Sequence, residues 1–335
     1  MPSLIMELVT CNCGVYTNNV FTLYYSTTQF GCQTQTLITK IETETPTSII
    51  SEIFTPTQII ETKTVTVLPT SQQNTKWFLA PYKDVTQNMN WNTYEMGPKA
   101  ILDTLDNITL AFATGKCGEE TWAGIKPENI YYPKPFILST GGANGKFSCM
   151  TDLGFATFLE SYKNMSGIDF DLELDQSPQE IDQLLIRLEK YPGLRKSFTL
   201  ATLGGNAANN LNNLGQMVME KLIASKVTNW YINLMTMNYG SPNPTVCTVT
   251  NGKCDMYKSA VRAVESLKSF YNLPYNQIEV TPMLGVNDVV TETFTTDDAH
   301  NLAKYATQVG LASIHYWSLD RDKDYVYTNI FKQYV

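Results

Sequence analysis

Three acidic side chains recur at every second position in residues 167–173, which have the sequence Gly-Ile-Asp-Phe-Asp-Leu-Glu. Successive side chains of a β-strand point to opposite faces, so Asp169, Asp171 and Glu173 share one face and the apolar residues between them share the other. Carboxylates this close are costly to bury unless they share protons or have partners. The pattern therefore predicts a site for acid and base chemistry. The alternative is a divalent cation, but one strand alone covers an octahedral ion poorly.

The rest of the chain after residue 76 predicts the elements that would position these acids. Apolar segments that end in Gly, Asn or Asp alternate with helical patterns. The apolar segments are 77–82, 108–113, 136–142, 167–173, 198–203, 230–237, 278–283 and 312–317, and the helical patterns include 177–191, 214–225 and 296–310. Eight strands with intervening helices over roughly 250 residues favour an α/β fold of the (β/α)₈ TIM barrel type over an open doubly wound sheet. Functional groups of such barrels lie at the carboxyl ends of the strands, and Glu173 ends the fourth.

Composition narrows the classes of partner. The chain has 335 residues, of which 43% are hydrophobic and 17% are charged, and its formal net charge is −8. Phosphate recognition requires a basic surface, so the charge argues against nucleic acid and anionic membranes, whereas neutral polymers remain open. No apolar run is long enough for a transmembrane helix, and residues 1–6 are followed too soon by polar residues to form a secretory signal.

The first 75 residues differ in composition from the rest. Residues 34–75 are rich in Thr, Ile, Val and Glu and contain few large apolar side chains. Alternating Thr and Val at 62–67 favour an extended strand, but an independent core is not expected from such a sequence. We predict a Thr-rich N-terminal arm or stalk over 1–75, partly ordered, with a disordered linker as the alternative.

Several motifs resemble those of glycoside hydrolase family 18, which comprises chitinases and chitinase-like lectins. Residues 166–173 resemble its strand-four signature, D-x-x-D-x-D-x-E, and residues 139–142 resemble its S-x-G-G on strand three. Residues 233–240 resemble the strand-six block, and Trp317 stands where the family ends strand eight. The segments 122–124, 281–288 and 317–322 further resemble a branch of mostly bacterial and fungal chitinases. Several ordered motifs from 76 to about 327 make the resemblance specific, and it implies a catalytic TIM barrel over 76–335.

The resemblance implies roles for the three acids and requires no cofactor or metal. Family 18 uses the acetamido group of the substrate as nucleophile, so a single proton donor suffices. Glu173 would be the general acid and base. Asp171 would orient the acetamido group and stabilise the oxazolinium ion, and Asp169 would share a proton or hydrogen bond with Asp171. We expect a raised pKa for Glu173.

The same resemblance implies a sugar-binding floor. Its predicted members are Asn238, Tyr239, Met235, Trp317, Tyr82, Phe112 and Gly142. Trp317 would stack on the sugar at the cleavage point, although an inward Trp also suits a core. Two positions depart from the family: Ser166 replaces the first Asp of the signature, and Asn238 replaces a strand-six Asp. An amide still donates and accepts hydrogen bonds, so Asn238 preserves sugar binding better than pKa tuning.

The seven cysteines are compatible with an oxidising compartment. Cys247 and Cys254 flank a turn sequence, and Cys117 and Cys149 follow strands two and three, which are neighbours in the barrel. We expect both pairs to form disulfides. An odd thiol among Cys11, Cys13 and Cys32 predicts a possible disulfide-linked partner through the arm. The only histidines, His300 and His315, do not suit a triad or a zinc cage.

The predicted function is endo-acting hydrolysis of chitin or chitooligosaccharides by a retaining mechanism, in an extracellular, cell-surface or wall-associated protein. Residues 287–311 are too short for the α+β insertion that walls the cleft in many processive members, so a shallow cleft is expected. Two alternatives remain open. One is an endo-β-N-acetylglucosaminidase that acts on N-glycans, and the other is a chitinase-like lectin, although such lectins typically lack the acid that Glu173 supplies.

Overall fold

The computed structural model describes a defined part of the chain, namely residues 14–17, 20–23, 37–40, 77–87, 89–90, 95–96, 99–130 and 132–335. The chain divides into two units, Met1–Gln73 and Asn74–Val335. In the first unit, three short strands form an antiparallel sheet in chain order: Gly14–Thr17, Val20–Leu23 and Leu37–Lys40. The predicted strand at 62–67 and the three cysteines of the arm lie outside the described residues, and the arm itself stays a prediction.

The second unit contains a parallel sheet whose segments match the eight predicted strands. They are β1a (Phe78–Leu79), β1b (Tyr82–Asp84), β2 (Thr109–Ala113), β3 (Phe136–Gly141), β4 (Met165–Leu172), β5 (Arg195–Ala201), β6 (Trp230–Met235), β7 (Ile278–Thr281) and β8 (Ser313–Ile314). β1a pairs with β8 and β1b pairs with β2, so the first strand, interrupted at Ala80 and Pro81, closes the sheet into a barrel. The predicted TIM barrel is confirmed.

Helices surround this sheet. They are α1 (Lys99–Leu102), α2 (Asp152–Ser161), α3 (Pro178–Leu188), α4 (Asn213–Ala224), α5 (Met256–Tyr271), α6 (Thr296–Val309) and α7 (Val326–Phe331). α3 begins as its sequence predicts, because the Ser177 hydroxyl accepts the N–H of Glu180 while the Glu180 carboxylate accepts the N–H of Ser177. Among the described residues, no helix is both long and apolar enough to cross a membrane.

The strands present different chemistry to the two faces of the barrel wall. Apolar side chains such as Ile168, Phe170 and Phe198 belong to the buried core. The alternate residues of the same strands are polar and point into the barrel. The helices therefore cover an apolar outer wall, and the barrel interior is free to build a polar site.

Two disulfides and a β-hairpin stabilise the loops at the carboxyl ends of the strands. The disulfide Cys117–Cys149 joins the loops after β2 and β3, and Cys247–Cys254 closes a turn between β6 and α5, with Cα–Cα distances of 5.1 and 5.5 Å. Both predicted disulfides are confirmed. Between β7 and α6 the chain forms a small hairpin in which Gly285–Val286 pairs with Thr293–Phe294.

Candidate active site

Asp169 lies inside the barrel and is saturated with hydrogen bonds. Its Oδ1 accepts from the hydroxyls of Ser197 at 2.8 Å and Thr199 at 2.6 Å. Its Oδ2 accepts from Ser139 at 2.6 Å and from the phenol of Tyr82 at 2.8 Å. Ser139 and Ser197 are the register partners of Asp169 on β3 and β5, so strand pairing itself places these donors. Asp169 is therefore an anchored carboxylate that fixes the strand beneath the site.

Asn233 extends this network across the barrel. Its Nδ2 donates to the Tyr82 Oη at 3.1 Å and to the Thr199 Oγ1 at 2.8 Å. Its Oδ1 accepts from the Thr281 hydroxyl at 2.8 Å. Hydrogen bonds thus join side chains of β1b, β5, β6 and β7 to the Asp169 carboxylate. The network holds the floor of the site rigid before any ligand binds.

Asp171 has the opposite environment although it stands two residues further along β4. Its side chain is only 4% exposed, and its Oδ1 is buried without a hydrogen-bond partner. Burial raises its pKa well above the usual value, and the charges of Glu173 and Asp169 raise it further. No hydrogen bond joins Asp171 to Asp169 in this structure, because hydroxyl groups occupy Asp169. A carboxyl group with an open position is thus available to a ligand.

Glu173 follows the last residue of β4 and faces the same cavity. Burial raises its pKa, and the charge of Asp288 raises it as well, whereas a hydrogen bond from the backbone N–H of Ala143 lowers it. The net shift is upward, as the sequence predicts. A raised pKa suits a carboxyl group that acts as a proton donor.

Aromatic rings form an apolar surface beside the acids. The rings of Phe112 and Trp317 stack with centroids 5.3 Å apart and planes inclined by 18°. The ring of Tyr82 lies 6.0 Å from that of Trp317 and 6.2 Å from that of Phe112. Non-proline cis peptide bonds precede Phe112 and follow Trp317. A flat apolar platform of this kind suits the face of a sugar ring.

Gly141 and Gly142 give the platform and the acid strand room to approach each other. Both residues have positive φ, of +90° and +80°, which an L side chain rarely adopts. A Cβ at Gly142 would lie 2.8 Å from the Phe112 ring. The N–H of Gly142 also donates to the backbone oxygen of Asp171 at 3.1 Å. Gly142 therefore supports the site from beneath and is not among the residues that line the cavity.

Asp171, Glu173 and the aromatic platform line one cavity of about 700 Å³ at the carboxyl ends of the strands. The predicted residues that it brings together are Asp171, Glu173, Tyr82, Phe112, Met235, Asn238 and Trp317. Among the residues that the structure describes, no lysine or arginine lines this cavity. In the part of the chain that the structure describes, no three His, Cys, Asp or Glu side chains are grouped to hold a metal ion.

Comparison with known proteins places this geometry in context. No family model matches the chain. It is 27% identical to a probable bifunctional chitinase/lysozyme of Escherichia coli K12 over 74% of its own length, and 26% identical to Endochitinase 11 of Metarhizium anisopliae over the same share. The chain spans only 31% and 53% of these two relatives. A crystal structure of the catalytic domain of a hyperthermophilic chitinase from Pyrococcus furiosus has the same fold, with a TM-score of 0.62 and 24% identity over 77% of this chain and 95% of that one.

The chain therefore resembles chitinases in sequence and has the fold of a chitinase catalytic domain. The residues of the strand-four signature lie on and directly after β4, Gly141 and Gly142 lie at and after the end of β3, and Trp317 follows β8.

Asn238, the strand-six departure from the family pattern, is held by the hairpin after β7. Its Oδ1 accepts the N–H of Val289 at 3.0 Å, and its Nδ2 donates to Asp288 Oδ2 at 3.4 Å. The residue has a φ of +53°, which asparagine tolerates better than most residues. Contact between Asn238 and the substrate stays a prediction, since both ends of the amide already have partners.

Tyr239 does not reach the cavity. It belongs to the buried core, and its hydroxyl has no hydrogen-bond partner. The turn after β6 directs Asn238 toward the cavity edge and the next side chain inward, which separates two predicted binding residues. The structure thus offers no support for a sugar contact by the Tyr239 hydroxyl.

Two acids of the hairpin were missed by sequence reasoning. Asp288 lines the cavity. Glu292 is buried and accepts the backbone N–H groups of Tyr239 at 3.1 Å and Gly240 at 2.8 Å, so it fixes the turn after β6. The segment 281–288, which resembles chitinases, includes Asp288 without indicating its role, and Glu292 lies beyond that segment.

Proposed function

We propose that this protein hydrolyses β-1,4 bonds between N-acetylglucosamine units of chitin or chitooligosaccharides by a retaining, substrate-assisted mechanism. One observation carries the proposal: a buried Asp171 oxygen without a partner lies in the same cavity as Glu173 and the aromatic platform. This combination offers a proton donor, an acceptor for an amide N–H and a surface for a sugar ring.

The chemistry follows from these groups. A protonated Glu173 donates its proton to the glycosidic oxygen as the bond to C1 breaks. The acetamido oxygen of the same sugar attacks C1 and forms an oxazolinium ion, whose N–H the Asp171 carboxylate accepts and whose charge it stabilises. Glu173, now ionised, removes a proton from a water molecule. The water attacks C1 and breaks the bond between C1 and the acetamido oxygen, which opens the oxazolinium ring. Two inversions at C1 give net retention, and Glu173 recovers its proton.

Asp169 would act through the strand and would not contact the sugar. Its four hydroxyl donors hold β4 in register, so Asp171 and Glu173 keep their relative positions through the reaction. Trp317 and Phe112 would support the sugar at the cleavage point, with Tyr82 at the edge of the platform and Met235 on the wall.

The hairpin between β7 and α6 is small, which favours cleavage within the polysaccharide over cleavage from its end. A cleft without a large wall admits the middle of a polymer. One relative is itself named an endochitinase. An endo-β-N-acetylglucosaminidase needs the same acids and the same acetamido group, so products from chitooligosaccharides and from N-glycans distinguish the two.

An extracellular, cell-surface or wall-associated location belongs to the same proposal. The two disulfides Cys117–Cys149 and Cys247–Cys254 favour an oxidising compartment. An insoluble extracellular polymer is also a substrate that an exported protein meets.

The substitution Glu173→Gln tests the assignment of the acid. The amide keeps the shape of the side chain but cannot donate a proton of comparable acidity, so turnover of soluble chitotetraose should fall by at least ~10² while sugar binding persists. A change in intrinsic tryptophan fluorescence reports binding, and product chromatography reports turnover. Glu160→Gln, on the exposed face of α2, is the matched control. Equal turnover by Glu173→Gln would show that the acid is misassigned, and binding without cleavage by the wild type would favour a lectin.

Product stereochemistry tests the mechanism independently of the acid. Attack by the acetamido group followed by water should release the β-anomer, and it requires an N-acetyl group at the cleavage point. Proton NMR within minutes of cleavage identifies the first anomer before mutarotation. An initial α-anomer, or equally fast cleavage of fully deacetylated chitosan, would contradict substrate assistance.

A further inference from the structure

Asp288 stands at the tip of the hairpin after β7 and faces the cavity that contains Glu173. Asn238 Nδ2 donates to its Oδ2 at 3.4 Å, and Arg321 Nη1 lies 3.9 Å from its Oδ1. Arg321 is itself engaged with the backbone oxygens of Leu284 and Val286. Asp288 thus has one amide partner and a distant cation, and its charge remains largely available to the cavity.

Both sides of the contact between Asn238 and Asp288 are rigid. On the hairpin, Asn287 Nδ2 donates to the backbone oxygen of Met283 at 2.9 Å, and Asn287 Oδ1 accepts the N–H of Asn238 at 3.5 Å. On the other side, Glu292 holds the turn that carries Asn238. The pair is therefore placed by backbone anchors and does not depend on two mobile side chains meeting by chance.

The asparagine at position 238 explains why this side chain can contact Asp288. A carboxylate there, as the family pattern has it, would bring a second negative charge against Asp288 at about the present separation of amide nitrogen and carboxylate oxygen. With asparagine the contact is a hydrogen bond, and the pair carries one negative charge on the hairpin. The charge that the strand-six position lacks is thus present nearby, on a different element.

We propose that Asp288, held by Asn238, is a positioning residue that acts through Glu173 and keeps this acid protonated until the glycosidic oxygen receives the proton. The inference rests on the proposed hydrolase function. It assigns the electrostatic role of the missing strand-six carboxylate to the hairpin and leaves proton transfer to Glu173.

Exposure determines when this effect is strong. The Asp288 side chain is 71% exposed, so water screens its charge in the empty cavity. A bound oligosaccharide displaces that water, and the same charge then acts through a medium of lower dielectric constant. The influence of Asp288 should therefore be larger in the complex with substrate than in the free protein.

Other groups around Glu173 fix the sign of the expected change. Asp171 faces it from β4 with Asp169 beneath, Asp84 and Tyr82 of β1b line the cavity, and Arg321 lies behind Asp288. Asp171 stays in place in every variant below. Removing the negative charge of Asp288 favours the ionised form of Glu173, so the pKa of Glu173 falls. The alkaline limb of the activity profile, where the acid loses its proton, moves to lower pH.

The test moves the negative charge from position 288 to position 238. It compares four proteins: wild type, Asp288→Asn, Asn238→Asp, and the double variant that carries both. The pH profiles of kcat and kcat/KM are measured on soluble chitotetraose. The alkaline limb should move to lower pH in Asp288→Asn and to higher pH in Asn238→Asp, and it should return toward the wild-type position in the double variant. The shift should be larger in kcat, which reports the complex, than in kcat/KM. Asp297→Asn, an exposed charge in the first turn of α6, should leave both profiles unchanged.

Two results would overturn the inference: unchanged alkaline limbs in both single variants, or a double variant whose alkaline limb stays at the position of Asp288→Asn. Direct titration of the Glu173 carboxyl group by carbon-13 NMR, assigned with Glu173→Gln, provides a readout that does not need turnover. If the wild type fails to cleave, the proposed function fails. The role of Asp288 is then decided by whether Asp288→Asn lowers the titration midpoint of Glu173 in the sugar-bound protein.

Discussion

Two aspartates on the same face of β4, two residues apart, have acquired opposite properties from their neighbours. Asp169 accepts four hydroxyl groups, which satisfy both of its oxygens. Asp171 is equally buried, yet one of its oxygens has no partner and its pKa is raised. The hydrogen bonds to Asp169 thus fix the strand that carries Asp171, whose carboxylate lacks such partners. The open position of Asp171 is the feature that a ligand would complete.

Substituting the anchored acid should cost stability before it affects chemistry. Asp169→Asn keeps the volume but places an NH₂ group against hydroxyls that now donate, so buried donors lose their acceptor. We expect a loss of about 2 kcal/mol or more in the free energy of unfolding, measured by denaturant titration. Asp297→Asn removes an exposed charge from the first turn of α6 and should cost no more than about 1 kcal/mol. A loss in Asp169→Asn no larger than in this control would show that the hydroxyl network contributes little.

At this scale the sequence predicts residues close along the chain and misses those that meet through the fold. The alternation of acids identified Asp169, Asp171 and Glu173, because a period of two places them on one face. Nothing local marked Thr199 as a partner of Asp169 or Asn233 as a partner of Thr199, since barrel register alone brings them together. Tyr239 was placed in the cavity by motif, whereas the left-handed turn at Asn238 turns it into the core.

The site residues are positioned by barrel strands and by loops that a disulfide and a hairpin hold in place. β4 positions the acids, β1b, β2 and the segment after β8 carry the rings of the platform, and the loop after β3 brings Ala143 to Glu173. The Cys117–Cys149 disulfide joins the loops after β2 and β3, and the hairpin after β7 holds the turn after β6. Segment type and order were predictable from apolar periodicity. Exact limits were not, as for β8, which pairs only over Ser313–Ile314 because ladder ends depend on the neighbouring strands.

The two disulfides should differ in their contributions to stability. Cys117–Cys149 spans 32 residues of chain and Cys247–Cys254 spans 7, so the first restricts the unfolded chain more. Replacing both cysteines of a pair with serine should cost about 3–4 kcal/mol for the first pair and about 2–3 kcal/mol for the second, by the loop-entropy relation. Denaturant unfolding of the two double variants under identical conditions measures the difference. A larger loss from the short loop would show that native-state contacts outweigh chain entropy.

At the scale of the whole molecule, the residues of the proposed site all lie in the unit Asn74–Val335. That unit has its own core, which extends from Trp77, whose indole N–H donates to Thr307, to Phe331 in α7. Its barrel closes on itself through β1a and β1b, so the sheet has no open edge that requires another segment. Composition alone marked a boundary near residue 75, and the division between Gln73 and Asn74 lies close to it.

A shortened protein that begins at Asn74 should therefore fold and cleave soluble substrate as the full chain does. We expect the same melting temperature and the same turnover of chitotetraose, because no proposed site residue is removed. The shortened protein also lacks Cys11, Cys13 and Cys32, so any disulfide-linked dimer formed through the arm should disappear on non-reducing gels. Binding to insoluble chitin, measured by co-sedimentation, should weaken if the arm acts as a tether. An insoluble product or a much lower melting temperature would mean that residues before Asn74 stabilise the barrel and that the predicted boundary is wrong.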